Sequence, residues 1–148
     1  MAEFVLDASV AFSRCFPGDP AEDTPYSRGI LLKLATHDAV VPEIWGFEIA
    51  NIIFVAFNKR KRISQKQIDE YLQLLRALPI RVDSNDLWTN VSLESRARRW
   101  NLSAYDTAYL DLALRRKLPL ATADDGIRDH CVTGVQTCAL PISLGLTA

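Results

Sequence analysis

Short apolar segments alternate with helical patterns along this chain of 148 residues, and this alternation constrains the fold more than any other feature. Strands separated by helices favour a parallel sheet that is covered on both faces. We therefore predict an α/β fold with three layers, α/β/α, around a central parallel sheet of four to five strands. The predicted strands are residues 4–6, 39–41, 80–82 and 118–121.

The predicted helices fill the intervals between the strands, and several begin with capping signals. Thr24 and Pro25 form an N-cap followed by proline at the first helical position, while Ser64 and Ser103 each open a capping-box pattern. Residues 44–57 are apolar almost all round, which predicts a buried helix. The predicted helices are residues 8–16, 24–35, 44–57, 64–78, 87–100, 103–117 and a segment that begins at 122.

The composition is that of a soluble globular protein, with 49% hydrophobic and 24% charged residues, and it excludes a disordered tail. We expect residues 1–148 to form a single domain. The net charge of −1 gives no general attraction to nucleic acid, so binding of a polyanion must depend on local basic clusters. Such clusters lie at residues 59–62, 96–99 and 115–117, near predicted helix ends where cations also suit the helix dipole.

The first residues of the chain, its apolar runs and its cysteines and histidines bear on its location and on metal binding. The chain begins Met1-Ala2-Glu3, without a basic leader, and no apolar run approaches the ~20 residues of a membrane span. We therefore expect a cytoplasmic protein with no membrane partner. The three cysteines and two histidines lack metal-ligand spacing, so the sequence does not favour a zinc site.

Four acidic residues lie in segments that otherwise predict burial: Asp7, Glu48, Asp106 and Asp124. A buried carboxylate without a partner is costly, and two carboxylates ~4 Å apart repel by about 4 kcal/mol at an effective dielectric constant of about 20. Asp7 and Asp124 both follow predicted strands, and ligand sites in parallel sheets lie at the carboxyl ends of strands. If the four acids meet there, a cation must hold them together. The pattern predicts a metal-carboxylate site.

Each acid also has a purely structural interpretation. Asp7 suits the N-cap of the helix that follows it, and Asp106 suits the third helical position of the Ser103 capping box. Glu48 and Asn51 stand three residues apart, so they also form one narrow polar stripe on an apolar helix.

The last acid is one of an adjacent pair, Asp124-Asp125. Thr122 as N-cap would place Asp125 at the third helical position, which leaves Asp124 to point into a site. We expect Asp111, in the preceding helix, to face solvent.

Four segments occur in a specific order: Val5-Leu6-Asp7-Ala8-Ser9, then Pro42-Glu43 with Glu48-Ile49-Ala50-Asn51, then Ser103 with Tyr105-Asp106 and Tyr109, then Leu120-Ala121-Thr122-Ala123-Asp124. Together they resemble a PIN domain and, more narrowly, a VapC-type toxin ribonuclease of a bacterial toxin–antitoxin pair. The resemblance covers residues 3–129.

The resemblance implies a Mg²⁺- or Mn²⁺-dependent endoribonuclease that hydrolyses RNA phosphodiester bonds. Oxygen ligands suit these ions, which can activate a bound water and neutralise a departing oxyanion. It also implies a small cognate antitoxin that blocks the site, and a homodimer. By the same resemblance the catalytic and metal-binding acids are Asp7 and Asp106 as principal ligands, with Glu48 and Asp124 as general base or ligands of a second ion, supported by Ser9, Asn51 and Thr122.

Two other functions remain open. A catalytically silent RNA-binding or partner-binding module could use the same fold, although the presence of all four acids argues against it. A haloacid-dehalogenase-type phosphatase places a nucleophilic Asp after a strand and requires a second Asp two residues later. Ser9 stands at that position here, and the Asp124-Asp125 pair is the only similarity to that family.

The C-terminal region contains a segment that we expect to be non-native, residues 131–143. It combines β-branched residues, Gly134 and Pro141, and it has no amphipathic period. Residues 132–142 resemble the translation of a sequencing-library adapter. We therefore expect poor packing there and no role for Cys131 or Cys138.

Overall fold

The fold is built on one sheet of four parallel strands with helices on both faces, which confirms the predicted α/β class and its three layers. The computed structural model describes residues 3–16, Asp19 and residues 23–132. The strand order is β3-β2-β1-β4, so β1 and β2 are the inner strands. The strands are β1 Glu3–Leu6, β2 Asp38–Pro42, β3 Ile80–Asp83 and β4 Leu120–Ala121.

The helices follow the predicted intervals, with two irregular segments. The first helix continues as a 3₁₀ turn, Phe12–Cys15, and the third continues as a π-helical turn, Val55–Lys59. The helices are α1 Ala8–Ala11, α2 Pro25–Lys33, α3 Ile44–Phe54, α4 Gln65–Ala77, α5 Leu87–Trp100, α6 Ala104–Arg116 and α7 Asp125–Val132. The expected non-native segment 131–143 lies outside the described residues from position 133 onward.

Two hydrophobic clusters lie on opposite faces of the sheet because successive side chains of a strand alternate between its faces. Phe4 and Leu6 of β1 belong to the larger cluster, which includes side chains of α1, α2 and α4. Val5, between them, belongs to the smaller cluster with Tyr109 and Leu110 of α6. Each cluster buries one face of the sheet, and this is why helices occupy both sides.

The capping signals at Thr24, Ser64 and Ser103 each mark the point where a helix begins. Thr24 and Ser64 are the N-caps of α2 and α4, and both form complete capping boxes. Ser103 is the N-cap of α6 and accepts a hydrogen bond from Asp106 N at 3.0 Å. The box is incomplete, because the Asp106 carboxylate does not accept a hydrogen bond from Ser103 N.

The prediction that residues 44–57 form a buried helix is wrong. Within α3 only Ile49 is buried, whereas Phe47 is 76% exposed and Phe54 is 50% exposed. An all-round apolar pattern shows that no face is reserved for water, but the fold supplies neighbours for only one face of this helix. The outer side of α3 therefore exposes large apolar side chains.

The expectation that Asp111 faces solvent is also wrong. Asp111 is buried, and its carboxylate pairs with Arg96 at 3.0 Å and with Arg115 at 2.9 Å. None of the helices in the described part of the chain is both long and apolar enough to cross a bilayer.

Candidate functional site

The centre of the site is the junction where β1 and β4 end side by side. Leu6 pairs with Ala121 in parallel register, and Asp7 N donates a hydrogen bond to Ala121 O at 3.0 Å. The next residues along both strands are therefore neighbours, and Thr122 Oγ1 donates to Asp7 Oδ2 at 2.6 Å. This junction lies at the carboxyl edge of the sheet, where parallel-sheet proteins bind ligands.

Asp7 is both a helix cap and a buried acid, so its two interpretations are compatible. Its Oδ1 accepts a hydrogen bond from Ser9 N at 3.3 Å as N-cap of α1. Only 5% of the residue is exposed. Burial raises the pKa of Asp7; hydrogen bonds from Thr122 and Ser9 oppose this change, and the negative charge of Asp106 adds to it.

Glu48 projects from α3 toward the same junction. It is half-buried, and its Oε1 accepts a hydrogen bond from Tyr109 Oη at 2.6 Å. Burial raises the pKa of Glu48, the Tyr109 hydrogen bond lowers it, and the charges of Asp7 and Asp106 raise it. Glu48 thus lies near enough to both aspartates to be repelled by them, and it is not simply a solvated residue.

Asp106 belongs to the first turn of α6, three residues before Tyr109 and on the same side of the helix. Burial raises its pKa, a hydrogen bond with Ser103 lowers it, and the charge of Asp124 raises it. The charge of Asp106 therefore acts on Asp7 and Glu48, and the charge of Asp124 acts on Asp106.

Asp124 has a different local role from the one predicted. It is Asp124, and not Thr122, that caps α7: its Oδ1 accepts from Ile127 N at 2.9 Å, and the helix begins at Asp125. Both residues are favourable N-caps, and Thr122 is instead engaged by Asp7 and by Asp124 N, the latter at 3.0 Å. Asp125 points to solvent, with a side chain 92% exposed.

A cleft of about 390 Å³ opens beside this junction. Ser9 and Ala123 line it where α1 meets the loop after β4, and Ala123 N donates to Ser9 Oγ at 3.3 Å. Asn51 of α3 lines it as well, so two of the three predicted supporting residues face the cleft and the third, Thr122, holds Asp7. The remaining lining residues are Phe12, Ile52, Val55, Ala56, Arg60 and Arg62.

The three basic clusters have different environments. Residues 59–62 contribute Arg60 and Arg62 to the cleft. The clusters at 96–99 and 115–117 instead supply arginines to internal acids, as Asp111 shows. Asp83, the last residue of β3, accepts from Arg115 at 2.7 Å and from Arg116 Nε at 2.8 Å.

Sequence reasoning missed two residues that organise these regions, Asp83 and Tyr109. No local pattern marks Asp83, because its arginine partners lie 32 and 33 residues away. Tyr109 was visible only as a neighbour of Asp106. Its position three residues after Asp106 in a capped helix was the available signal.

The four acids fit a hard divalent cation in chemistry, although they do not form a closed cage. In the part of the chain that the structure describes, no three His, Cys, Asp or Glu side chains are grouped as a metal site. Mg²⁺, however, is usually bound by one or two carboxylates and keeps several waters. A carboxylate whose pKa is raised by a neighbouring acid, as that of Asp7 is by Asp106, suits an ion that keeps part of its water shell.

Comparisons with known proteins extend the fold but not the function. No family model and no curated protein matches this chain. Among solved structures, PAE2754 from Pyrobaculum aerophilum is similar, with a TM-score of 0.66 and 14% sequence identity over 97% of each chain. At this identity the likeness shows a shared fold alone.

Proposed function

We propose that the protein is a metal-dependent endoribonuclease and the toxin of a type II toxin–antitoxin system. The observation that carries the proposal is the linked set of acids: Asp7, Glu48, Asp106 and Asp124 come from four separate segments and interact electrostatically at the carboxyl edge of the sheet. No arginine or lysine contact compensates these carboxylates among the hydrogen bonds and ion pairs of the described residues. The resemblance to VapC-type ribonucleases in the same four segments supports the same conclusion.

Asp7 and Asp106 are the residues that would hold Mg²⁺ or Mn²⁺. When bound, such an ion lowers the pKa of a coordinated water and offsets negative charge on a phosphodiester. Thr122 and Ser9 fix the two oxygens of Asp7, so its carboxylate has a defined direction. This orientation is the contribution of the protein, since a loosely held ligand would position its partner poorly.

Glu48 is the best-placed residue to accept a proton from the attacking water. Tyr109 binds Oε1 and leaves Oε2 for that contact, and burial raises the pKa of Glu48 toward the range useful for a base. In the reaction, water adds to phosphorus as the P–O bond to the leaving nucleotide breaks. The leaving oxygen takes a proton from solvent water, so one fragment keeps the phosphate and the other ends in a hydroxyl group.

An RNA cleavage assay tests the proposal. Purified protein should cut RNA with Mg²⁺ or Mn²⁺ and stop cutting when EDTA is added. A silent binding module would leave RNA intact under every metal condition, and a phosphatase would instead form a trapped phosphoryl group on Asp7. Manganese should also raise the melting temperature of the parent protein and not that of Asp7→Asn, which separates metal binding from turnover.

For partners, we propose an antitoxin helix or a second protomer on the apolar surfaces. One groove, between α2 and α4, has a volume of about 170 Å³ and is lined by Leu31, Leu32, Leu74, Leu78 and Arg28. Leu32 is 76% exposed there. A second groove of about 280 Å³ contains Phe47 and Tyr105. A monomer that gains no thermal stability from a co-encoded antitoxin would contradict this part of the proposal.

A further inference from the structure

The segment that joins α3 to α4 has two uncommon backbone features. Val55–Lys59 form a π-helical turn, in which Arg60 N donates to Val55 O at 2.9 Å. Lys61 then adopts a left-handed conformation with φ of 50°, which is unusual for a residue other than glycine. π-helical turns are frequent at functional sites. Both features lie between Asn51 and the capping box of α4, in the segment that carries Arg60 and Arg62.

The two arginines of this segment line the cleft beside the acid junction. Arg62 has a fixed orientation, because its guanidinium pairs with Asp19 at 2.8 Å and stacks 4.1 Å from the ring centre of Phe16. Arg60 is exposed, and it shares the cleft with Ser9 and Asn51. The cleft therefore places cationic donors near Ser9, two residues along the chain from Asp7.

The rest of the cleft is apolar. Phe12, Ile52, Val55 and Ala56 contribute to its lining, and its volume of about 390 Å³ exceeds those of the two partner grooves. A cleft that combines apolar surface with arginines and one amide matches a nucleotide better than a bare phosphate. The base has a flat apolar face, and its phosphate carries the charge that arginine binds.

We propose that this cleft binds one unpaired nucleotide of single-stranded RNA, with its base against the apolar wall and its phosphate at Arg60. The inference rests on the proposed function, because it places the next phosphodiester of the strand beside Ser9 and the acids. A base that remains stacked in a duplex cannot enter such a cleft. The protein should therefore prefer single strands, loops and bulges to paired RNA.

The test measures binding without cleavage. Full-length Asp7→Asn protein in EDTA is titrated against a fluorescein-labelled single-stranded oligoribonucleotide at several salt concentrations, and anisotropy gives Kd. Arg60→Gln should weaken binding about tenfold and flatten the slope of log Kd against log salt by about 0.7, the value for one lost phosphate contact on a single strand. Arg60→Lys, which keeps the charge, should retain most of the slope.

Arg76→Gln is the matched control, since Arg76 is exposed in the last turn of α4 and does not line the cleft. It should change neither Kd nor slope. A duplex of the same sequence should bind more weakly than the single strand. Equal slopes for Arg60→Gln and Arg76→Gln, or equal affinity for duplex and single strand, would overturn the inference.

The two proposals fail in distinguishable ways. Metal-dependent cleavage by the parent protein together with Arg60-independent binding would reject the nucleotide cleft and keep the nuclease. Arg60-dependent binding of single strands by a protein that never cuts RNA would support the cleft and reject the nuclease.

Discussion

Two buried aspartates, Asp7 and Asp83, stand at comparable places in the fold and have opposite electrostatic environments. Asp7 follows β1 and Asp83 ends β3, and both are at most 8% exposed. Burial raises the pKa of each. At Asp83 the hydrogen bonds and charges of Arg115 and Arg116 outweigh burial and lower the pKa, whereas at Asp7 neighbouring Asp106 raises it further.

The difference shows how one residue type serves two purposes. Asp83 has its countercharges within the chain, so it ties α6 to the edge strand of the sheet. Asp7 has a hydroxyl and an amide donor, and the charge that acts on it among the described residues is that of another acid, Asp106. This contrast, more than any single distance, supports the proposed cation at the β1–β4 junction.

The largest expected effect comes from neutralising each aspartate in turn. Asp7→Asn should reduce RNA cleavage by about 100-fold or more while the protein remains at least as stable at neutral pH, because a buried, repelled charge is removed. Asp83→Asn should do the reverse, lowering stability and leaving cleavage nearly intact. Cleavage rates and urea unfolding of both variants check this, and matching profiles for the two would break the comparison.

The free energy of unfolding should depend on pH in opposite ways through Asp7 and Asp83. Because the folded-state pKa of Asp7 is above its ordinary value of 3.8, the energetic cost of its charge disappears as the pH falls through that raised pKa. Because the pKa of Asp83 is lowered, its ion pairs stabilise the protein above its ordinary value of 3.8 and this contribution is lost as the pH falls.

A second prediction concerns the hydroxyl that holds Glu48. Tyr109→Phe removes the 2.6 Å hydrogen bond to Oε1 and should lower kcat about 10- to 100-fold with little change in KM, because a residue that orients a reacting group is lost. Tyr71→Phe is the matched control, since the Tyr71 hydroxyl is buried without a partner among the described residues. Equal rates for the two variants would show that Tyr109 is only a core residue.

The third prediction tests the compensated cluster. Arg116→Ala removes two hydrogen bonds to Asp83 Oδ1 and should reduce the free energy of unfolding by about 1–2 kcal/mol, a value that allows for the solvent exposure of Arg116. The loss should be largest at neutral pH and should shrink gradually as the pH falls below the ordinary pKa of 3.8 and through the lowered pKa of Asp83 in the folded protein. Chemical denaturation at both pH values measures it; a pH-independent loss would contradict the ion-pair explanation.

The smallest effects come from two glycines. Gly46 on α3 has nothing within 4 Å of an added Cβ, so Gly46→Ala should stabilise the protein by about 0.5–1 kcal/mol. At Gly126 the added Cβ would lie 3.1 Å from Asp124 Oδ1, so Gly126→Ala should gain less stability and reduce cleavage a few-fold by displacing that cap. Calorimetry and cleavage rates of the pair check this. Equal stability and equal cleavage rates for the two variants would mean that a Cβ at residue 126 does not displace Asp124.

The sequence predicted those features that depend on residues close together in the chain. Strands such as β1 and caps such as Ser64 are specified by a few neighbouring residues, and they were found where expected. The candidate acids could also be selected from the sequence, because each is a charged residue within a segment of otherwise apolar residues. Their mutual approach, however, followed only from the rule that parallel strands end at the same edge.

The features that were not predicted depend on contacts between residues far apart in the chain, or on a choice between two residues that can fill the same role. The exposure of α3 depends on how many neighbours the fold supplies, which an apolar pattern does not encode. The burial of Asp111 depends partly on Arg96, in a different helix. Thr122 and Asp124 are both favourable caps for α7. The Thr122 hydroxyl binds Asp7 instead, and Asp124 caps the helix.

The bond between Thr122 and Asp7 has a consequence for synthesis. It joins residues 115 positions apart, so Asp7 emerges from the ribosome well before its hydroxyl partner. Proteins are made from the N-terminus, and a β1–β4 pair cannot form before β4 exists. If the protein is a nuclease, an incomplete chain would therefore lack an oriented Asp7.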